Sequence, residues 1–410
     1  MKRTAKRDLT RQQQLARGPM DLPFFALTLM LLGIGLVMLL SASSYNASVE
    51  AVSHHDALYY FKRQAAFAVL GVIAMYLVSK ADYQWFRALA PIVLGVAILL
   101  LIAVLIPHVG KTHNNATRWL KIGIEFQPSE IAKIGIVMFF AAKYSKRPPK
   151  RVAKPNLRRK TPLQRIAARL KYFYHWSDLD ELLPDILILG VIIVLLAKEP
   201  HLSAAILLAV AAAAVLFAAG VKLFWFILGG GVGVVGVWFM LSVVGYNSTR
   251  IDAWRDPWAD AGKTGYQIIQ SIYAVASGGL NGLGLGLGRQ KYGYLPEEQT
   301  DYIFSIVCEE LGFIGAAIII ALFALLIIRG YWLALHARDR FGALLIVGVT
   351  TLMAVQVFLN IAVVTNLIPS TGISLPFFSY GGTALLIQCA EMGLILSVSR
   401  QIPAPAQETA

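Results

Sequence analysis

Apolar stretches of about 20 residues recur along the whole chain, each long enough to cross a hydrocarbon core of roughly 30 Å. Ten spans are predicted: 21–43, 58–79, 88–107, 129–144, 184–198, 202–220, 222–244, 302–328, 341–365 and 383–398. The fifth is the shortest. This pattern predicts an all-α, polytopic membrane protein. Residues 21–400 form its membrane domain, between a basic tail at 1–20 and a short tail at 401–410. The basic start and the apolar run 22–42 imitate a secretory signal, with Ser41-Ala42-Ser43 as a cleavage-like site. That run is long for a signal and more spans follow, so an uncleaved first helix is expected. Two connections stand out. Residues 143–183 are basic and contain proline, with Arg165, Arg169 and Lys171 on a candidate amphipathic helix. Residues 245–301 are rich in glycine and aromatics, and a loop that long is usually functional or disordered. Tyr246, Trp254, Trp258, Tyr266, Tyr273, Tyr292 and Tyr294 favour a folded element at the membrane interface, where amphipathic rings settle.

Composition narrows the classes further. The chain of 410 residues is 57% hydrophobic and only 15% charged, against roughly 25% charged in soluble domains. A soluble enzyme, a disordered chain and a disulfide scaffold are excluded. The net charge of +14 would suggest nucleic acid, but its location says otherwise. Residues 1–20 carry six basic side chains against Asp8 alone, and 143–183 carry twelve against three acids, which accounts for the whole excess. Basic segments flanking apolar spans mark the cytoplasmic side and can touch anionic lipid heads. An even span count puts both termini there. The segments so placed hold 25 Lys and Arg, and the opposite segments 11. Cys308 and Cys389 both fall inside spans, with no metal-ligand or disulfide spacing, and read as small packing residues.

Several motifs carry candidate chemistry. Gly231, Gly233 and Gly236 match G-x-G-x-x-G, but inside an apolar span with no strand before them. Small-residue helix packing, with Gly229 and Gly233, is the expected role. A second run, Gly278, Gly279, Gly282, Gly284, Gly286 and Gly288, lacks the ending of a phosphate loop. With Arg289 and Lys291 just after it, two roles stay open: backbone approaching a phosphate-bearing lipid head, or a purely structural turn. Span four opens on Gln127-Pro128-Ser129, a helix start. Glu130 and Lys133 follow on one face. A charge at mid-membrane costs roughly 2.5–3.5 kcal/mol even on lenient scales. The pair is therefore either a buried ion pair joining helices or one wall of a polar cavity. Arg118-Trp119 precede it, and arginine forks onto phosphate oxygens.

The strongest constellation is Leu295-Pro296-Glu297-Glu298-Gln299-Thr300-Asp301-Tyr302. Thr300 is predicted to cap the eighth span, with Asp301 in its first turn. Ser305 and Cys308 fall near the Asp301 face, Glu309 lies on its shoulder, and Glu309 and Glu310 enter the span. Carboxylates crowded at one mouth raise one another's pKa, while the helix dipole lowers it. A carboxylate so placed suits a general base toward a hydroxyl. The last outer loop, Pro369 to Gly382, holds no titratable group but the Tyr380 phenol and is expected to be structural.

Taken together these residues resemble the SEDS family (shape, elongation, division and sporulation) over about 20–400. The resemblance rests on Arg118-Trp119, Phe126-Gln127-Pro128-Ser129-Glu130 with Lys133, Asp256-Pro257-Trp258-Ala259-Asp260 and Gly265-Tyr266-Gln267 with Gln270-Ser271. It continues through Ser277-Gly278-Gly279, Tyr294-Leu295-Pro296-Glu297 with Thr300-Asp301, Glu309-Glu310-Leu311-Gly312, and Pro376-Phe377 to Tyr380-Gly381-Gly382. Asp256 to Asp260 and Arg289-Gln290-Lys291 look more like the FtsW and SpoVE branch than the RodA branch. The resemblance implies ten helices and a peptidoglycan glycosyltransferase in the bacterial cytoplasmic membrane. Such an enzyme polymerises lipid II on the outer face, for septal wall synthesis in cell division. It implies Asp301 as the essential acidic residue of catalysis, with Arg118, Trp119, Glu130 and Lys133 lining the cavity. Arg250, Gln270, Ser271, Arg289, Lys291 and Glu297 join them as candidate substrate-binding residues. The expected partners are lipid II, undecaprenyl-pyrophosphate-linked glycan, a class B penicillin-binding protein and divisome proteins, with no nucleic acid. No cofactor is demanded. Mg²⁺ is a candidate to share the pyrophosphate charge, though no compact oxygen-ligand set calls for it. Gln299 stands where the family usually has His, Cys308 where Gly is common, and His201 where Asp is common. A lipid II transporter built on Glu130 and Lys133, and a non-enzymatic scaffold, remain the rival readings.

Overall fold

The computed structural model describes residues 18–113, 116–122, 124–147, 178–242 and 248–402. The basic stretch with Arg165, Arg169 and Lys171, Tyr246, and residues 1–17 and 403–410 of the two tails lie outside the described residues. Helices occupy all ten expected spans: α1 Leu22–Val49, α2 Tyr59–Lys80, α3 Tyr83–Val104, α4 Pro128–Ser145, α5 Leu179–Lys198, α6 Leu202–Ala218, α7 Leu223–Ser242, α10 Ile303–His336, α11 Arg340–Val364 and α12 Gly382–Ser399. Between α7 and α10 lie α8 Ser248–Arg255 and α9 Tyr266–Gly278. Six helices (α1, α2, α3, α10, α11 and α12) are long and apolar enough to cross a membrane by length and composition alone. Large apolar side chains such as Leu77, Ile92, Leu187 and Ile328 are exposed on the helix exteriors, as lipid-facing surface requires. The protein is a multi-pass membrane protein.

One feature falls outside the all-α expectation. A three-stranded antiparallel meander joins α3 to α4: β1 Gly110–His113, β2 Ala116–Ile122 and β3 Ile124–Phe126. Arg118 and Trp119 are neighbours on β2, so the pleat sends them to opposite faces.

Polar residues set where the helices begin and how they are tied. Asp21 caps α1 through the Phe24 amide (2.9 Å) and also pairs with Arg329 (2.5 Å). Asp339 caps α11 through the Gly342 amide (2.9 Å) and accepts from the Tyr83 hydroxyl (2.8 Å). Helices α5 and α10 run past the expected bounds for this reason: their polar ends are paired, not frayed. Lys143 meets Asp185 at 2.6 Å, Tyr144 donates to the same carboxylate at 2.7 Å, and Arg147 bridges Asp178 (2.6 Å) and Glu181 (2.8 Å). These pairs latch α4 to α5 at the end of the bundle far from Asp301. Helices α2 and α12 pack closely, with Cys389 against Gly71, so that cysteine is a packing residue. The glycine stripe of α7 behaves otherwise. A Cβ at Gly229, Gly231, Gly233 or Gly236 would meet nothing within 4 Å among the described residues, so the expected helix packing there is absent.

Helix α10 is interrupted at Gly312 (φ 67°, ψ −170°). Its freed groups are met by the chain that follows α9. Phe313 N–H donates to Gly279 O (2.9 Å) and Ile314 N–H to Leu280 O (3.1 Å). In return Leu283 and Gly284 donate to the carbonyls of Glu309 and Glu310, both at 3.0 Å. A break in an apolar span is tolerated only where protein satisfies the backbone in this way. The glycine-rich run is therefore the structural turn of the two open roles.

A Cβ on Gly312 would lie 2.2 Å from the Gly282 nitrogen, on a backbone conformation that side chains avoid. Gly312→Ala is expected to cost more than about 2 kcal/mol and to lower the unfolding temperature in detergent, followed by tryptophan fluorescence. Gly33→Ala, where nothing lies within 4 Å, is expected to leave it unchanged or slightly raised.

Candidate active site

The segment before α10 folds into a tight turn on Glu297, whose φ is 57° and whose carbonyl accepts from the amides of Thr300 (3.1 Å) and Tyr302 (3.3 Å). Thr300 is not the helix cap: its hydroxyl donates to the Glu297 carboxylate at 2.7 Å, and Tyr302 occupies the N-cap position without a side-chain bond. Asp301 therefore stands just outside the helix. Its carboxylate is spared from capping, and among the described residues no hydrogen bond reaches it. Burial pushes its pKa up to about 6, with the Glu297 charge adding to the rise and Arg118 and Arg250 opposing it.

Glu309 and Glu310 take no part in that crowding. Glu309 accepts from the amides of Arg289 (2.9 Å) and Gln290, and Glu310 from those of Gly286 (3.0 Å) and Gly288. The loop amides open to a phosphate in the sequence reading are thus occupied by these two carboxylates. Lys291 is buried against Glu310 (2.8 Å) and Ser41 (3.0 Å), so its charge is committed inside the protein. The Arg289 side chain is exposed. Ser271 is buried between Ser305 Oγ (2.9 Å) and Val364 O (2.8 Å), and Gln270 is half-buried beside it on α9.

Two arginines reach the neighbourhood of Asp301 from different directions. Arg118 on β2 donates to Glu199 O (3.3 Å) and to Pro200 O, on the turn between α5 and α6. Arg250 on α8 donates to Ser370 O (3.3 Å) in the loop between α11 and α12. The α5–α6 turn adds two groups that sequence reading left without a role. Glu199 is fully buried, with neither carboxylate oxygen partnered among the described residues. Burial raises its pKa to about 8 against the pull of Arg118. His201 packs beside Gln127, and burial, then Arg118 and Lys133, hold it neutral, down to about 3. Ser203 donates to Thr371 O and so ties this turn to the loop between α11 and α12. Glu130 and Lys133 form a buried ion pair at 2.7 Å, with Glu391 of α12 close enough to feel both charges. Glu391 also lines a water-sized cavity with Gln356 and Gln388. The sequence signal for these three was a polar side chain in an apolar span.

Asp301, Glu297, Arg118 and Arg250 are thus brought together, with Lys133 and Glu130 beyond the α5–α6 turn. This is one half-buried carboxylate under the influence of two cations at one end of a membrane bundle. It suits proton abstraction beside a developing anionic charge.

Comparison with known proteins places the chain. It matches the family described as cell cycle protein, which takes in FtsW, RodA and SpoVE, over residues 22–403. A probable peptidoglycan glycosyltransferase FtsW from Geobacter sp. (strain M18) is 38% identical over 93% of this chain and 97% of its own length. Stage V sporulation protein E of Bacillus subtilis is 38% identical over 93% of this chain and 97% of its own. Among solved structures, a chain of a peptidoglycan synthase complex that coordinates polymerization and crosslinking has a TM-score of 0.68. It is 27% identical, covering 93% of this chain and 98% of that one. The rod shape determining protein RodA of Thermus thermophilus shares the fold, with a TM-score of 0.64 at 24% identity, covering 94% of this chain and 98% of its own. With a match across nearly its whole length, the chain belongs to the FtsW, RodA and SpoVE family, the SEDS proteins.

Proposed function

We propose that this protein is a peptidoglycan glycosyltransferase of the septal, FtsW-like kind, polymerising lipid II on the outer face of the cytoplasmic membrane. The observation that carries the reading is Asp301, a half-buried carboxylate free of capping duty, with Gly372 leaving room beside it and Arg118 and Arg250 bearing on it. In the reaction Asp301 accepts the proton of the acceptor sugar's 4-hydroxyl as that oxygen attacks the anomeric carbon of the lipid-linked strand. The new glycosidic bond forms with inversion, and undecaprenyl pyrophosphate leaves with the bonding pair. Fixed cations stabilise the departing charge at no cost of reorganisation. Arg118 and Arg250, the two cations that bear on Asp301, suit that role, while Lys133 and Lys291 sit in ion pairs with Glu130 and Glu310. Among the described residues no three His, Cys, Asp or Glu side chains are placed to hold a metal ion, and Mg²⁺ stays a candidate to share the pyrophosphate charge.

The basic bias of the sequence supports an orientation with both termini cytoplasmic and Asp301 outside. A class B penicillin-binding protein is the partner that fits, since new glycan strands must be crosslinked and a solved relative belongs to a complex that coordinates polymerization and crosslinking, and divisome proteins would recruit the pair. A transporter reading draws on the buried Glu130, Lys133 and Glu391. The candidate groups cluster near Asp301, at one end of the bundle, which counts against it, since a transporter needs polar groups reachable from both faces; at the far end Lys143 and Arg147 are paired with Asp185, Asp178 and Glu181.

The test is strand formation from labelled lipid II by the purified protein with its cognate transpeptidase. Asp301→Asn is expected to fold, bind the partner and lose at least about 100-fold in rate, the usual worth of a general base. Turnover retained by that variant would remove Asp301 from the role. For the wild type, kcat/KM should be flat above neutrality and fall as pH drops through about 6, where Asp301 takes up its proton. Glu297→Gln removes a neighbouring negative charge and is expected to move that limb to lower pH. Arg250→Gln removes a positive charge and is expected to move it higher.

A further inference from the structure

The loop between α11 and α12, expected from sequence to be merely structural, grips the catalytic segment by its backbone. Three consecutive carbonyls are held. Tyr380 N–H donates to Gln299 O (2.8 Å), Ser379 Oγ to Thr300 O (2.6 Å), and Asn360 Nδ2 to Asp301 O (2.8 Å). The Thr300 carbonyl belongs to the peptide plane before the Asp301 Cα, and the Asp301 carbonyl to the plane after it. Peptide units are rigid, so fixing both planes fixes the direction in which the Asp301 side chain leaves the backbone.

Asn360 does more than hold one carbonyl. It is fully buried near the end of α11, and its second amide hydrogen goes to Ile373 O (2.7 Å). Both acceptors demand the NH₂ group, which fixes the orientation of the amide. Next to Ile373 is Gly372, at φ 67°, where a Cβ would stand 3.3 Å from Asp301 Oδ2. One amide therefore sets the spacing between the segment that carries the carboxylate and the glycine that leaves room beside it. Gln64 of α2 secures the clamp from behind, donating to Ser379 O (3.0 Å) and accepting from Gly381 N–H (3.2 Å).

We propose that Asn360 is a positioning residue for Asp301, acting with Ser379 and the Tyr380 backbone to aim its carboxylate at the space left by Gly372, where the acceptor hydroxyl enters. This rests on the glycosyltransferase reading of Asp301. A hydrogen bond to a main-chain carbonyl could serve folding alone, and the two roles differ in what they move. A folding role changes the amount of active enzyme. A positioning role changes kcat per active enzyme and the water reaching the carboxylate.

The experiment compares wild type, Asp301→Asn, Asn360→Ala, Ser379→Ala and Gln356→Ala, each purified with the partner transpeptidase. Strand synthesis from labelled lipid II is followed across pH. Gln356 tethers the same loop at Ser374 O (3.0 Å), away from Asp301. Asn360→Ala is expected to lower kcat about 10- to 100-fold, the scale of a misplacement near 1 Å, with KM changed less than about twofold. Its acid limb should move to lower pH, because a loosened Asp301 gains water and loses part of the burial that raised its pKa. Ser379→Ala should do the same in smaller measure, and it stands in if Asn360→Ala does not fold. Gln356→Ala should leave the limb in place. Wild-type kcat and an unmoved limb in both Asn360→Ala and Ser379→Ala, with Asp301→Asn dead, would overturn the positioning role and leave the glycosyltransferase reading standing. A limb moved equally by Gln356→Ala would overturn it as well. Full activity of Asp301→Asn would instead sink the reading beneath it.

Discussion

A helix broken inside a membrane must find protein partners for every amide and carbonyl the break releases, because lipid supplies none. Much of this architecture follows from that constraint at Gly312. The chain after α9 returns its own carbonyls and amides to α10, and Glu309 and Glu310 then absorb the amides of the glycine-rich run. Lys291 neutralises Glu310 in the interior. The outer half of α10 is thereby locked to α9 and α1, and the turn that precedes it, with Asp301, is presented at a fixed height. The glycines are needed at the break itself, where backbone meets backbone at distances no side chain permits.

The electrostatics of the site are a contest between burial and charge. Desolvation alone would make Asp301 a weak acid that holds its proton, and Glu297 pushes the same way. Arg118 and Arg250 pull back, leaving the group near the middle of the useful range for a base. Main-chain carbonyls help to anchor both arginines: Arg118 donates to Glu199 O and Pro200 O, and Arg250 to Ser370 O. A carbonyl dipole orients a guanidinium without placing a formal charge beside it.

The spans, the basic bias and the constellation around Asp301 were all legible in the sequence, because each is written in side-chain type. Length and apolarity mark a span, and charges inside one mark Glu130 and Lys133. What stayed hidden is carried by the backbone or by distant pairing. The β1–β3 meander is a run of short strands with no clean alternation. Nothing in the letters of Lys291 or Glu310 announces a partner 19 residues away with Ser41 behind it. The clamp on Gln299, Thr300 and Asp301 uses main-chain acceptors, which have no residue signature at all. Asn360 could have been suspected as an amide in an apolar span four residues after Gln356, but not its target. Thr300 misled for an opposite reason: a good capping residue was drawn into the turn on Glu297 instead.

The latch at the far end of the bundle also bears on energy supply. Lys143, Arg147, Asp178, Glu181 and Asp185 neutralise one another where they stand. A machine that carried charge across the bilayer would feel the transmembrane voltage at roughly 2.3 kcal/mol per charge per 100 mV. Glycosyl transfer by itself asks no ionised group to cross the bilayer. Sugar transfer confined to one face draws its driving force from the pyrophosphate ester already built into the donor, so a de-energised membrane would starve the enzyme of substrate long before it touched the chemistry.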